Sequence, residues 1–239
     1  MKNNLFKTLS AASLFLLFSS PALIAQENFT VKMNIKTEGL PAEMAAYGEQ
    51  DMVTYLKGDK AKTEISSMMF STITYVNGQK ITSLTDAMGN KSGYTTTKEE
   101  LEQADKAEPS EKPSIVYTEE KKMIAGYECK KAIVTSVGKD KKESITTVWV
   151  TDKITNNHKS MGKSGRRGMA DLSDLKGYPL AMEMPMNFQG TEAKVVMTTL
   201  EVSTTPIDDA VFVPNTDGYT MMTFKEMKEK QKMMMQQGR

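Results

Sequence analysis

The residues of this chain that could do chemistry are few, and their types and spacing favour binding over turnover. There is one histidine, His158, set among the turn formers Thr155-Asn156-Asn157 and Lys159. A solvated loop position is its simplest reading. A histidine-based metal centre needs several ligands, and a Ser-His-Asp triad needs its histidine beside an ordered acid and nucleophile. No Gly-x-Ser-x-Gly, His-Glu-x-x-His, phosphate-loop or dinucleotide fingerprint occurs. The 30 acids are scattered and offer no evident carboxylate pair for hydrolysis. The one cysteine, Cys129, lies in a strand-like run and reads as a buried small hydrophobe. A reactive or intermolecular thiol is the alternative. No enzymatic activity and no cofactor are expected.

Methionine is the unusual residue, with 20 in the chain. Residues i, i+2 and i+4 of a strand share a face. Leu180, Met182, Met184 and Met186 therefore form one apolar row, with Ala181 and Glu183 facing the other way, and Pro185 suits an edge or strand end. Three readings of the row stay open. It fills a core, or it lines a deformable wall for an apolar ligand, because thioether side chains re-pack around varied partners. The third is a Cu(I) site on Met182, Met184 and Met186, because soft sulfur suits that ion. No Cys or His lies beside the row to strengthen it. Trp149 joins Leu180, Met182, Met184 and Met186 as the expected apolar wall. Met233-Met234-Met235 fall on a helical stretch, where consecutive residues point in different directions and make a poor metal cage.

The elements that must position these residues begin with an export signal. Lys2 and Lys7 precede an apolar run from Leu14 to Phe18, Ser19-Ser20-Pro21 breaks it, and Ala22-Leu23-Ile24-Ala25 ends in a small residue before Gln26. This is the pattern of a secretory signal peptide, too short to span a bilayer. No Cys follows it, so an acylated-Cys anchor is not expected, and the chain reads as periplasmic or secreted. Removing residues 1–25 leaves 214 residues and takes away two of the 31 basic residues and none of the 30 acids, for a net charge of about −1. That balance offers no basic excess for a nucleic-acid backbone. No later run is long and apolar enough for a transmembrane span.

Beyond the signal, short β runs alternate with Gly, Asn and Asp. Phe29–Lys36 has period two. Met52–Leu56 and Lys60–Ile65 flank Lys57-Gly58-Asp59, and Phe70–Val76 and Lys80–Leu84 flank Asn77-Gly78, a strong hairpin signal. A further strand is expected around Gly93-Tyr94-Thr95. Thr97-Lys98-Glu99-Glu100 fits a capping box opening a short polar helix to about Lys106. Ser114–Tyr117, Met123–Tyr127, Cys129–Val137, Ser144–Thr151, Tyr178–Phe188 and Ala193–Val202 read as strands. In the Ser144–Thr151 run, Ile145, Thr147 and Trp149 face one way and Thr146, Val148 and Val150 the other. Lys159–Gly168 reads as a loop, and Ala170–Gly177 as one or two helical turns closed by Gly177. Thr204–Ala210 reads as a turn. Thr223-Phe224-Lys225-Glu226 is a second capping box, opening a C-terminal helix to Gln237. The expected organisation is a signal peptide at 1–25, a mostly-β domain at 26–220 and a C-terminal helix or tail at 221–239.

Five segments carry a resemblance. They are Tyr55-Leu56-Lys57-Gly58-Asp59-Lys60-Ala61-Lys62-Thr63-Glu64, Ile124-Ala125-Gly126-Tyr127-Glu128-Cys129-Lys130-Lys131, Val148-Trp149-Val150-Thr151-Asp152, Leu175-Lys176-Gly177-Tyr178-Pro179-Leu180, and Phe212-Val213-Pro214 followed by Gly218-Tyr219. In this order, from about Phe29 to Tyr219, the chain resembles the exported bacterial family called domain of unknown function 4412. That family is related to the lipoprotein-carrier (LolA-like, LolB-like) half-barrel superfamily. The resemblance implies a mostly-β (α+β) fold: an antiparallel, unclosed β half-barrel with short helices over its concave side and an apolar interior. In the carrier relatives that interior takes acyl chains. The implied role is an exported, non-enzymatic envelope protein that binds a lipid or other apolar small molecule, with peripheral membrane contact. A structural or interaction domain filled by its own side chains is the alternative. The basic residue that the carriers keep inside the pocket has no identifiable equivalent here.

Overall fold

Period-two patterning and two-residue turns decide the architecture. The computed structural model describes residues 28–106, 112–138, 141–154, 172, 174–188 and 190–237. The readings of the signal peptide, His158 and the Lys159–Gly168 loop lie outside them. The elements run β1 (Asn28–Glu38), β2 (Glu49–Lys57), β3 (Lys60–Ser66), β4 (Phe70–Asn77), β5 (Lys80–Ala87), β6 (Asn90–Thr97), α1 (Lys98–Lys106), β7 (Ser114–Ile124), β8 (Tyr127–Val137), β9 (Glu143–Thr151), β10 (Tyr178–Phe188), β11 (Thr191–Ser203), β12 (Thr220–Thr223) and α2 (Phe224–Gln237).

The twelve strands among the described residues belong to one sheet, in the order β12-β6-β5-β4-β3-β2-β1-β11-β10-β9-β8-β7. β1 to β6 form one meander and β7 to β11 another, and the β1–β11 pair joins them at the centre. Every neighbour is antiparallel except β12, which pairs in parallel with β6. The two edges, β12 and β7, do not pair with each other, so the sheet is an unclosed half-barrel.

Local chemistry sets the ends of these elements. Both capping boxes form. The Thr97 hydroxyl accepts the Glu100 N–H at 3.1 Å while the Glu100 carboxylate accepts the Thr97 N–H at 3.0 Å. Thr223 and Glu226 repeat the exchange at 3.3 and 2.7 Å. One expected strand is corrected. Met123–Tyr127 is the end of β7, a turn at Ala125-Gly126 with φ of +47° and +84°, and the start of β8. The apolar run hid a primed hairpin turn. The β5–β6 turn is similar, with Met88 at φ +53° and Gly89 at +84°. A long side chain in that left-handed region costs roughly 1–3 kcal/mol that glycine would largely avoid.

Phe29, Val31, Met33 and Ile35 are buried on one side of β1, the side called the inner face below. Leu101 of α1 packs on this core, and Phe224 of α2 stacks on Tyr94 at 5.9 Å between ring centroids, so both helices lie over the inner face. After β11, residues 204–219 pass across the hairpin ends of β2–β3 and β4–β5. The Lys57 ammonium donates to the Ile207 carbonyl at 2.8 Å, and Lys57 and Lys60 each approach Asp209 at 3.1 Å. The Asn77 amide donates to the Phe212 carbonyl at 3.0 Å, and Ile207 and Phe212 are buried. The two lysines hold the Asp209 carboxyl below its usual range. This strap ends in β12, a four-residue strand that sequence patterning does not single out, as it does not the 3-10 turn Ala42–Gly48.

Candidate functional site: the inner face of the half-barrel

The methionine row sits where alternation places it. Leu180, Met182 and Met184 are buried and Met186 is half-buried, while Glu183 and Pro185 between them are exposed. Met182 lies between Val148 of β9 and Met197 of β11, Met184 opposite Val195, and Met186 opposite Ala193. Val134, Val148, Val150 and Met182 form a cluster onto which Leu172 and Leu175 pack. Exposures of 5% for Met182 and 7% for Met184 show how closely neighbouring side chains already surround them.

Trp149 does not join this row, a correction to the expected wall. It lies between the buried Val148 and Val150 and pairs with Ala181 and Lys131, so alternation turns it away from Met182, and it packs against the main core cluster rather than the Met182 cluster. There the Lys122 ammonium sits 4.2 Å from the ring centroid, a cation–π contact. Grouping Trp149 with the row by apolar type overlooked its parity, which is one residue out of step with Val148.

Across β2 to β6 the inner face carries the apolar row Leu56, Ala61, Val76 and Ile81 and, beside it, hydroxyl rows that sequence reasoning missed. Register aligns Thr54, Thr63, Thr74, Ser83 and Tyr94 in one row across β2 to β6. Hydroxyl pairs link it, Thr54 with Thr63 at 3.3 Å and Thr74 with Ser83 at 3.4 Å. The next row holds Ile65, Thr72, Thr85 and Ser92, with Thr72 and Thr85 at 3.2 Å. Thr63, Thr72, Thr74, Thr85 and Ser92 are only half-buried, so these rows are not sealed. The Thr96 hydroxyl donates to Glu100 of α1 at 2.9 Å, tying the helix to the same edge. The available signal was Thr or Ser at alternate positions in successive hairpin strands: Thr72 and Thr74, Ser83 and Thr85, Ser92 and Thr96.

Several buried groups have notable electrostatics. The Tyr178 phenol is fully buried, and desolvation pushes it up to about 12, with the Thr54 hydroxyl opposing. The two oxygens do not meet as a hydrogen bond, and the Tyr178 hydroxyl is left without a partner. Gln50 Oε1 and Thr146 Oγ1 are also buried without one. Orphaned buried polar atoms are uncommon in native folds. Burial raises the Tyr94 phenol too, against a hydrogen bond with Ser83. Cys129 is a fully buried free thiol whose Sγ–H points to the Tyr127 carbonyl at 3.6 Å. Burial raises it, against the nearby Lys122, which suppresses the thiolate needed for nucleophilic chemistry.

A cavity of about 320 Å³ opens at the strand-end rim, lined by Glu49, Gln50, Asp51, Ser66, Ser67 and Met68. Asn34 donates to the Glu49 and Asp51 carboxylates at 3.4 and 3.3 Å. Among the described residues, no group of three His, Cys, Asp or Glu is placed to hold a metal ion. No helix among them is long and apolar enough to cross a membrane.

No family model matches the sequence, and no curated protein matches it. Solved structures to which the chain is similar include PNGF-II, at 15% identity and a TM-score of 0.46, covering 85% of this chain and 33% of that one. The chain thus spans about a third of PNGF-II. The lipoprotein LppX of Mycobacterium tuberculosis is similar at 12% identity and a TM-score of 0.35, covering 75% of this chain and 88% of that one. A LolA superfamily protein of Nitrosomonas europaea is similar at 9% identity and a TM-score of 0.33, covering 79% and 91%.

Proposed function

We propose that this chain is an exported, non-enzymatic envelope protein that holds an amphipathic lipid or similar small molecule against its inner face. The apolar part lies over Leu180, Met182, Met184 and Met186, and the polar end runs along the hydroxyl row from Thr54 to Tyr94. The binding domain is residues 26–220. One observation carries this reading: on β2 to β6 the inner face sets half-open hydroxyl rows directly beside an apolar core that runs from Leu56, Ala61, Val76 and Ile81 through β1 to the Met182 row. The hydroxyl rows contain no charged side chain, so they suit a neutral, hydrogen-bonding end group such as an ester or a polyol. The orphaned Tyr178 and Gln50 oxygens add acceptors on the same side.

A second reading is a structural or interaction domain with a self-filled core. The close packing of Met182 and Met184 favours it. Native mass spectrometry of protein purified from its own envelope separates the two. The binding reading expects added lipid mass and uptake of a fluorescent fatty acid that Thr74→Val with Ser83→Ala weakens. Neither added mass nor uptake, in folded protein, would leave the structural reading.

A further inference from the structure

We infer that the tips of the β3–β4 and β5–β6 hairpins form a thioether site for a soft monovalent cation, Cu(I) or its closed-shell counterpart Ag(I), built from Met68, Met69 and Met88. The site is separate from the inner face and does not depend on its ligand.

Backbone pairing brings the three residues to neighbouring tips. β4 and β5 pair up to Phe70 and Ala87, and the Met88 N–H donates to the Met69 carbonyl at 3.2 Å, extending the ladder by one more step. Met69 and Met88 therefore neighbour each other where the β4–β5 ladder ends in the two tips. Met68 precedes Met69 at the same tip. Both tips are pinned from within. The Ser67 hydroxyl accepts the Met69 and Phe70 N–H groups, each at 3.2 Å, and the Asp86 carboxylate accepts the Gly89 N–H at 2.9 Å.

Packing does not explain these side chains. Met68 and Met88 are 76% and 78% exposed, and Met69 is 45% exposed. Met88 also occupies a left-handed backbone position that glycine or asparagine takes more readily. What three flexible thioethers can do together is coordinate a soft ion, which the oxygen-preferring cations are not. Charge separates a cation from a lipid surface as the occupant. Met68 lines the rim cavity with Glu49 and Asp51, whose carboxylates attract a cation and repel an anionic bilayer. The Met182 row has no such setting, because its neighbours are Val148, Val195 and Met197. A thioether carries no titratable proton, so affinity should change little between mildly acidic and neutral pH.

The test is titration of the full folded chain with Ag(I), and with Cu(I) in competition with bicinchoninate. One ion per chain is expected, with the ε-methyl NMR signals of three methionines shifting. The triple variant M68L/M69L/M88L should bind at least about tenfold more weakly with its circular dichroism unchanged, whereas M182L/M184L should bind as the parent does. Equal binding by parent and triple variant, or no binding by the parent, overturns the site. So does sedimentation with phosphatidylcholine vesicles that the triple variant loses while Ag(I) does not bind, which would make the tips a membrane contact.

Discussion

Tyr178→Phe probes the inner face most directly. The side chain is 1% exposed, its hydroxyl lacks a partner, and the phenol is pushed up to about 12. A buried hydroxyl left unpaired costs about 1–3 kcal/mol, so the variant should be as stable as the parent near neutral pH, or about 1 kcal/mol more stable. At alkaline pH the two should diverge. The unfolded chain releases this proton near pH ~10, while the folded chain keeps it to about 12. In that window the unfolded state binds fewer protons, so the parent's stability falls as pH rises. Two pH units correspond to about 2.7 kcal/mol. The gap between variant and parent should widen by about that amount, since the lysines and other tyrosines titrate in both and largely cancel. Urea unfolding followed by circular dichroism from neutral to about pH 12 measures it. A loss of more than about 1 kcal/mol at neutral pH would mean the hydroxyl is paired, and a gap that stays constant would mean solvent reaches it. Either result refutes the buried, orphaned phenol.

Met184→Ala should cost about 2–5 kcal/mol in chemical denaturation, without changing fatty-acid uptake, if the row only fills a core. A smaller loss together with weaker uptake would instead make it a ligand wall. At Gly93 an added Cβ would lie 2.7 Å from Leu84 Cδ2 and from Met221 Sδ, and 3.0 Å from the Ser83 carbonyl oxygen. The side chains can yield but the backbone oxygen cannot. Gly93→Ala should therefore cost about 1–3 kcal/mol and loosen β12, which faster limited proteolysis before α2 would reveal. Unchanged cleavage would show that β12 does not depend on this contact.

Local chemistry made much of this fold legible. Asn77-Gly78 and Lys57-Gly58-Asp59 mark their turns because few residues tolerate positive φ. The two Thr-x-x-Glu boxes open their helices at the expected residues because the cap is complete within four positions. The β10 boundaries, Tyr178–Phe188, follow from period two alone, and so does the shared face of Leu180, Met182 and Met184. Partners were not legible. β1 meets β11 across most of the chain, and the Ser-Thr row from Thr54 to Ser83, closed by Tyr94, exists only once five strands are in register. Alternation states which residues of one strand share a face. It is silent on which neighbour they meet, because turn lengths and bulges far along the chain set that register. Trp149 shows the consequence: its apolar character was visible in the sequence, but its place outside the Met182 row came from pairing with Ala181. The four residues of β12 were too few to announce themselves, and they became a strand because the strap pinned by Lys57, Lys60 and Asn77 delivers them to the open edge of β6.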